Sequence, residues 1–301
     1  VIQNVFTTSN LNQLLFFTNK GRVHWLKAYE VPTGSRYARG KAMVNLLRLR
    51  DGEKVSTILP VAQFDEQHFI TMVTKKGLVK KTSLKEFSNP RQGGIISIGL
   101  KDNDELVFAR LTSGSEEILI GTKDGVAIRF SEQDVRPMGR SASGVRAILL
   151  RPQDEVIGME LVKENASILT ITEFGFGKRT KIEEYSKIKR GGKGVINIQT
   201  TERNGKVVGI KVVDDTDEVL FVSQKGVIIR VSAKDISTIG RNTQGLRVMR
   251  VDAKDKVTTI AKIVQDEKVE EVVEKVKEVP IEENDVDESS EKESVDESEE
   301  E

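Results

Sequence analysis

The chain has 301 residues, two histidines, no cysteine, and 47 basic side chains balanced by 47 acidic ones. Without cysteine it can form no disulfide, thiolate nucleophile or cysteine-based zinc cluster, and it contains no run of 18 apolar residues that could span a membrane. The zero net charge hides a division, because residues 264–301 hold 18 acidic and 4 basic residues, leaving 43 basic and 29 acidic in 1–263. A body of net +14 with a tail of net −14 points to a basic surface that meets a polyanion.

The chain begins at Val1 with neither Met nor a charged-then-apolar leader, and it reads as a piece of something longer. Residues 1–13 read as the remnant of a preceding unit. From there a repeat of about 50 residues recurs five times. Its anchor is a short apolar run followed by a glycine turn: Thr18-Asn19-Lys20-Gly21, Thr74-Lys75-Lys76-Gly77, Thr122-Lys123-Asp124-Gly125, Thr172-Glu173-Phe174-Gly175 and Ser223-Gln224-Lys225-Gly226. A run of β-formers, a tight glycine turn and a second run describe a hairpin. Later in each repeat a small residue opens a third apolar run: Ala42 before 43–47, Gly94 before 95–98, Gly144 before 145–149, Gly194 before 195–198 and Gly245 before 246–249. A polar turn then leads to a fourth run at 55–61, 106–111, 156–161, 207–213 and 257–263. Four short strands per repeat predict an all-β chain of blade-like sheets in a ring or spiral. The repeats cover about 14–67, 68–115, 116–165, 166–216 and 217–263. Beyond them the valines of 264–279 are spaced for a short frayed helix, and the acidic, serine-rich remainder is expected to be disordered.

No motif for chemistry survives inspection. His24 and His68 stand alone, Gly192-Lys193-Gly194 lacks the hydroxyl residue a P-loop needs, and Gly175-Phe176-Gly177 precedes a strand rather than a helix. The cations carry the stronger pattern. Loops ahead of the third strand hold Arg36, Arg39 and Lys41, then Arg91, then Arg136 and Arg140, then Lys187, Lys189, Arg190 and Lys193, then Arg241. The strand after each hairpin turn adds Lys80 and Lys81, Arg129, Lys178 and Arg179, and Arg230. A ring places equivalent positions on one rim, so these side chains predict a belt able to track a phosphate backbone. Aromatics are only 5% of the chain, which disfavours single-strand binding by stacking and favours sequence-tolerant grip on a bent duplex.

Segments spread along the chain carry a family likeness: Lys20-Gly21-Arg22-Val23, Ala38-Arg39-Gly40-Lys41 with Val44-Asn45-Leu46-Leu47, Thr57-Ile58-Leu59-Pro60-Val61, Val79-Lys80-Lys81-Thr82, Gly175-Phe176-Gly177-Lys178-Arg179-Thr180, Thr201-Glu202-Arg203-Asn204-Gly205 and Gly240-Arg241-Asn242-Thr243-Gln244-Gly245. In them the chain resembles the C-terminal domain of the DNA gyrase A protein, over 1–263 and in its acidic tail. The resemblance implies a β-pinwheel of six hairpin-swapped blades that wraps double-stranded DNA on its outer rim. It also implies a non-catalytic, monomeric and cytoplasmic, nucleoid-associated module, supporting negative supercoiling by a type II topoisomerase. Its partners would then be the gyrase A breakage-rejoining core and gyrase B. The chain itself would hold no cofactor, with ATP and Mg bound elsewhere in the enzyme and the catalytic tyrosine outside this chain. That family's Gln-Arg-Arg-Gly-Gly-Lys-Gly box normally lies in the first blade. Here the nearest copy, 189–194, falls in the fourth whole repeat and is read as that repeat's own loop. The loop cations are thereby expected to bind DNA, and the tail is expected to compete with DNA for them. The related topoisomerase IV domain and a propeller acting as a protein scaffold are the alternatives; the Trp-Asp signature of the commonest propellers is absent.

Overall fold

A computed structural model describes residues 8–34 and 40–263. Arg36, Arg39 and the predicted tail helix and disordered segment lie outside these residues. The first repeat contributes β1 (Gln13–Thr18), β2 (Arg22–Lys27) and β3 (Val55–Val61). The second has β4 (Phe69–Thr74), β5 (Leu78–Ser83), β6 (Ile95–Ile96) and β7 (Leu106–Thr112), and the third β8 (Glu117–Thr122), β9 (Val126–Ser131), β10 (Val145–Arg146) and β11 (Val156–Leu161). The fourth repeat has β12 (Ser167–Thr172), β13 (Phe176–Lys181), β14 (Val195–Ile196) and β15 (Val207–Val213). The fifth has β16 (Glu218–Ser223), β17 (Ile228–Ser232), β18 (Leu246–Arg247) and β19 (Val257–Ile263).

Sheet membership does not follow repeat boundaries. From the second repeat onward, the third strand leaves its own blade and pairs antiparallel with the hairpin of the blade before it, giving the orders β3-β1-β2-β6, β7-β4-β5-β10, β11-β8-β9-β14 and β15-β12-β13-β18. Among the described residues the fifth blade has three strands, β19-β16-β17. The third runs form ladders of only two residues, as in Val195↔Ala127 and Ile196↔Val126, shorter than their apolar stretches suggested. The glycine ahead of each makes the entry possible. Gly194 has φ +71°, and a Cβ there would sit 2.5 Å from the Ala127 carbonyl oxygen, so no other residue fits the approach.

The first repeat departs from the expected pattern. Residues 43–47 were expected to open a strand, but Met43–Asn45 is a 3₁₀ turn. No earlier hairpin stands beside it among the described residues. With no sheet edge to pair with, Met43, Leu46 and Leu47 instead pack on Leu14 and Phe16 of β1.

Side chains alternate across each strand, and both faces of an inner blade are covered, so both alternating sets are apolar. Leu15 and Phe17 of the first blade meet Ile70, Met72 and Phe87 of the second. Phe17 and Phe87 stack edge to face with centroids 6.0 Å apart. Similar layers follow between successive blades, around Ile120 and Phe130, then Ile168 and Tyr185, then Ile171 and Phe221. The inner strands β3, β7, β11, β15 and β19 line a central channel of about 250 Å³, where Glu160 joins Arg110 at 3.2 Å and Lys211 at 2.6 Å. Burial of these layers is the main stabilising term, and it fixes which ends of the blades point outward.

Candidate nucleic-acid interface

The loops ahead of the swapped strands are tied to the strands behind them. The loops ahead of β10, β14 and β18 run briefly parallel to the outer hairpin strand of the preceding blade, in the bridges Lys81↔Pro137, Arg129↔Lys187 and Arg179↔Thr238. Backbone bonds then link loop to loop along the rim: Gly99 N–H donates to Ala142 O at 3.0 Å, Leu149 to Gly192 at 2.8 Å and Gln199 to Thr243 at 2.8 Å. Those loops are therefore one connected surface, in which a cation on one repeat has a fixed distance to the next.

Three arginines occupy matching positions on this surface. Arg140 Nη1 donates to Ile96 O at 3.4 Å, Arg190 Nη1 to Arg146 O at 3.0 Å and Arg241 Nη1 to Ile196 O at 2.9 Å. Arg190 Nε also donates to Asp134 O at 2.9 Å. A carbonyl orients a guanidinium without cancelling its charge, so the group can still attract a phosphate, although Arg241 Nε itself is buried without a partner. Arg140 has the Glu86 carboxylate at 3.9 Å, and Glu184 accepts the Arg241 main-chain N–H at 3.1 Å, while no ion pair falls on the Arg190 or Arg241 guanidinium among the described residues. Lys41, Arg91, Arg136, Lys189 and Lys193 are exposed, and the last four have no ion pair among the described residues. Lys187 is exposed but donates to Glu117 at 2.9 Å. That bond, with Arg129 alongside, holds the Glu117 carboxyl below its usual range against the opposing effect of burial.

The second set of predicted cations is not on the rim. Lys80 and Lys178 are fully buried, 0% exposed. The Lys80 ammonium donates to the Ser97 carbonyl at 2.7 Å and to the Arg140 carbonyl, and Lys178 donates to Gly240 O at 2.5 Å and Arg241 O at 2.7 Å. Burial pushes Lys80 down to about 7 and Lys178 down to about 8, against the opposing pull of Glu86 and Glu184 and with a smaller push from Arg140 and Arg241. Their role is to hold the arginine loops in place from inside.

The next residue along each strand also turns inward, to the following blade. Lys81 reaches Glu132 O at 3.2 Å and its carboxylate at 3.8 Å. Arg129 donates to Ile182 O at 3.0 Å and pairs with Glu117. Arg179 donates to Ile236 O at 2.8 Å and pairs with Asp215. In the first repeat Trp25 makes the same reach, to Phe87 O at 3.0 Å. Arg230 stands at the open end and pairs with Glu218 of its own blade. The expectation that Lys80, Lys81, Arg129, Lys178 and Arg179 belong to an outer belt therefore fails, for one reason: both faces of an inner blade are interfaces.

Sequence reasoning also passed over exposed cations. Arg146 and Arg247 are the outward second residues of β10 and β18, and Arg151 and Arg250 follow close behind. Arg146 and Arg247 share one offset, two residues after Gly144 and Gly245, which would have revealed that pair; Arg151 and Arg250 share none.

A family model described as the DNA gyrase C-terminal domain, a β-propeller, matches residues 12–62, 68–113, 116–163, 166–214 and 217–263. The chain is 44% identical over 266 residues to the DNA gyrase A protein of Clostridium acetobutylicum and 41% identical over 264 residues to that of Salmonella typhimurium. Each alignment covers 88% of this chain but only 32% and 30% of the relative, so the chain spans about a third of their length. Among solved structures it is similar to the C-terminal domain of DNA topoisomerase IV, with TM-score 0.80 and 27% identity over 89% of this chain and 84% of the other. It is likewise similar to a DNA gyrase A C-terminal domain, with TM-score 0.75 and 26% identity over 85% and 84%. Shape does not separate these two neighbours; with five blades matched by the family model, this chain belongs to the DNA gyrase C-terminal domain family.

Proposed function

We propose that the rim binds and bends duplex DNA with little sequence preference, as the non-catalytic wrapping module of a gyrase A protein that supports negative supercoiling. The observation that carries this reading is the row Arg140, Arg190 and Arg241, each held by a main-chain carbonyl of the neighbouring repeat's outer strand. Such an arrangement presents charge at a repeating interval on a rigid frame, with few side chains suited to reading base edges. Lys189, Lys193, Arg91 and Arg136 add unpaired charge on the same loops. Strand breakage and ATP hydrolysis, with its Mg, would belong to other parts of the enzyme, on the gyrase A core and gyrase B. Titrating the chain with a long duplex over a range of salt tests the reading. Affinity should fall steeply as salt rises, because each neutralised phosphate releases a counterion. Affinity that stays flat from low to moderate salt would overturn it and favour a protein-binding propeller.

A further inference from the structure

The outermost strands of the blades are not uniformly polar. Their second residues point outward and alternate in kind around the ring: Ile96 on the first blade, Arg146 on the second, Ile196 on the third and Arg247 on the fourth. Ile96 is 48% exposed and Ile196 is 41% exposed. An apolar side chain on an unpaired sheet edge is a liability that soluble proteins usually replace with charge, as this chain does at the alternate positions. Each isoleucine also lines a groove with cations. Ile96 shares a groove of about 530 Å³ with Arg91 and Arg140, in which Glu86 is the one acidic group. Ile196 shares one of about 460 Å³ with Lys193, Arg151 and Leu149. The main-chain carbonyl of each isoleucine is the acceptor for a rim arginine, Arg140 in one case and Arg241 in the other. An apolar tip and a phosphate-seeking fork thus meet at one residue, the guanidinium being held on the isoleucine's own carbonyl.

Duplex DNA fits such a pair. Its minor groove has an apolar wall of sugars flanked by two rows of phosphates. Proteins that bend DNA press isoleucine, leucine or similar side chains into that groove, opening a base step while cations hold the flanks. We propose that Ile96 and Ile196 are bending wedges, seated in the minor groove of the wrapped duplex at alternate blades, while Arg146 and Arg247 take phosphates at the blades between. The inference rests on the reading of the rim as a duplex-binding surface.

The test compares the unaltered chain with an Ile96→Ala/Ile196→Ala variant and an Ile96→Leu/Ile196→Leu variant. Each is titrated with a straight linear duplex of about 150 base pairs, one persistence length, and with a small closed circle of the same sequence that is already bent. Both residues lie at the surface, so thermal unfolding should match the parent in each variant. The alanine variant should lose about tenfold in affinity for the straight duplex, a modest share of what bending costs. On the bent circle it should lose less than about threefold, because the deformation is already made. The slope of affinity against salt should not change, since every cation remains. Leucine should restore binding to the straight duplex. Unchanged affinity for straight DNA, or an equal loss on straight and bent DNA, would overturn the wedge assignment. Failure of the unaltered chain to bind duplex at all would instead strike the underlying DNA reading.

Discussion

Lys80 and Lys178 show how one residue type serves two ends in this fold. A lysine counted from sequence is a surface charge; here each of these two is a strut behind an arginine loop. Part of this was legible, because Lys80 and Lys81 are neighbours on one strand and must point to opposite faces. Missing was the knowledge that neither face of an inner blade sees solvent. Burial has a measurable consequence. The folded values of about 7 and about 8 lie below the 10.5 of an ordinary lysine, so the unfolded chain binds more protons between them. Stability should therefore rise with pH from about 7 toward 9. In a Lys80→Met/Lys178→Met variant the rise should be smaller, as followed by urea unfolding at fixed ionic strength; an equally steep rise would mean that other groups cause it. The exposed lysines behave differently. Lys189→Gln/Lys193→Gln should leave the melting temperature within about 2 °C, since neither side chain supports the loop. The slope of log affinity against log salt should drop by about two, one per phosphate contact. The parent slope would show that this loop faces away from DNA.

Strands and hairpins were the most legible elements. Apolar runs bounded by a glycine turn located every hairpin, and the fourth runs at 55–61, 207–213 and 257–263 coincide with β3, β15 and β19. Exchange of the third strand between blades was not readable from the residues alone, because a two-residue ladder has no periodicity of its own. Instead it is written in the glycines. At Gly125 φ is +81°, and a Cβ would lie 2.2 Å from Ile198 O of the swapped segment, whereas at Gly226 φ is +87° with nothing within 4 Å. Gly125→Ala should thus cost about 2–4 kcal/mol, combining backbone strain with a clash against main chain. Gly226→Ala, at the open fifth blade, should cost only about 1 kcal/mol, from the left-handed backbone alone. Equal losses in chemical denaturation would show that the swapped segment moves aside freely. The same logic explains Met43–Asn45: a third run without a neighbouring hairpin edge folds back on its own blade, a tertiary effect that its apolar pattern does not encode.

At the scale of the whole chain, charge is divided between two stretches. The body of 1–263 carries +14 and the segment 264–301 carries −14. Tethered acidic residues compete with phosphates at a local concentration of roughly millimolar order if the linker reaches. Removing 264–301 should raise affinity for duplex at low salt and change it much less at high salt, where screening removes the competition. Equal affinity of the two chains at low salt would leave the segment without a part in DNA binding. The central claim, that connected rim loops bend DNA around the blades, is tested most directly by topology. A nicked plasmid is sealed by ligase with the chain bound, the protein is removed, and the linking number is read on a gel. Wrapping predicts a shift in linking number that grows with the protein-to-DNA ratio until saturation and is diminished in the Lys189→Gln/Lys193→Gln variant. A topoisomer distribution identical to that of plasmid sealed without protein, under salt conditions where binding is saturated, would contradict it.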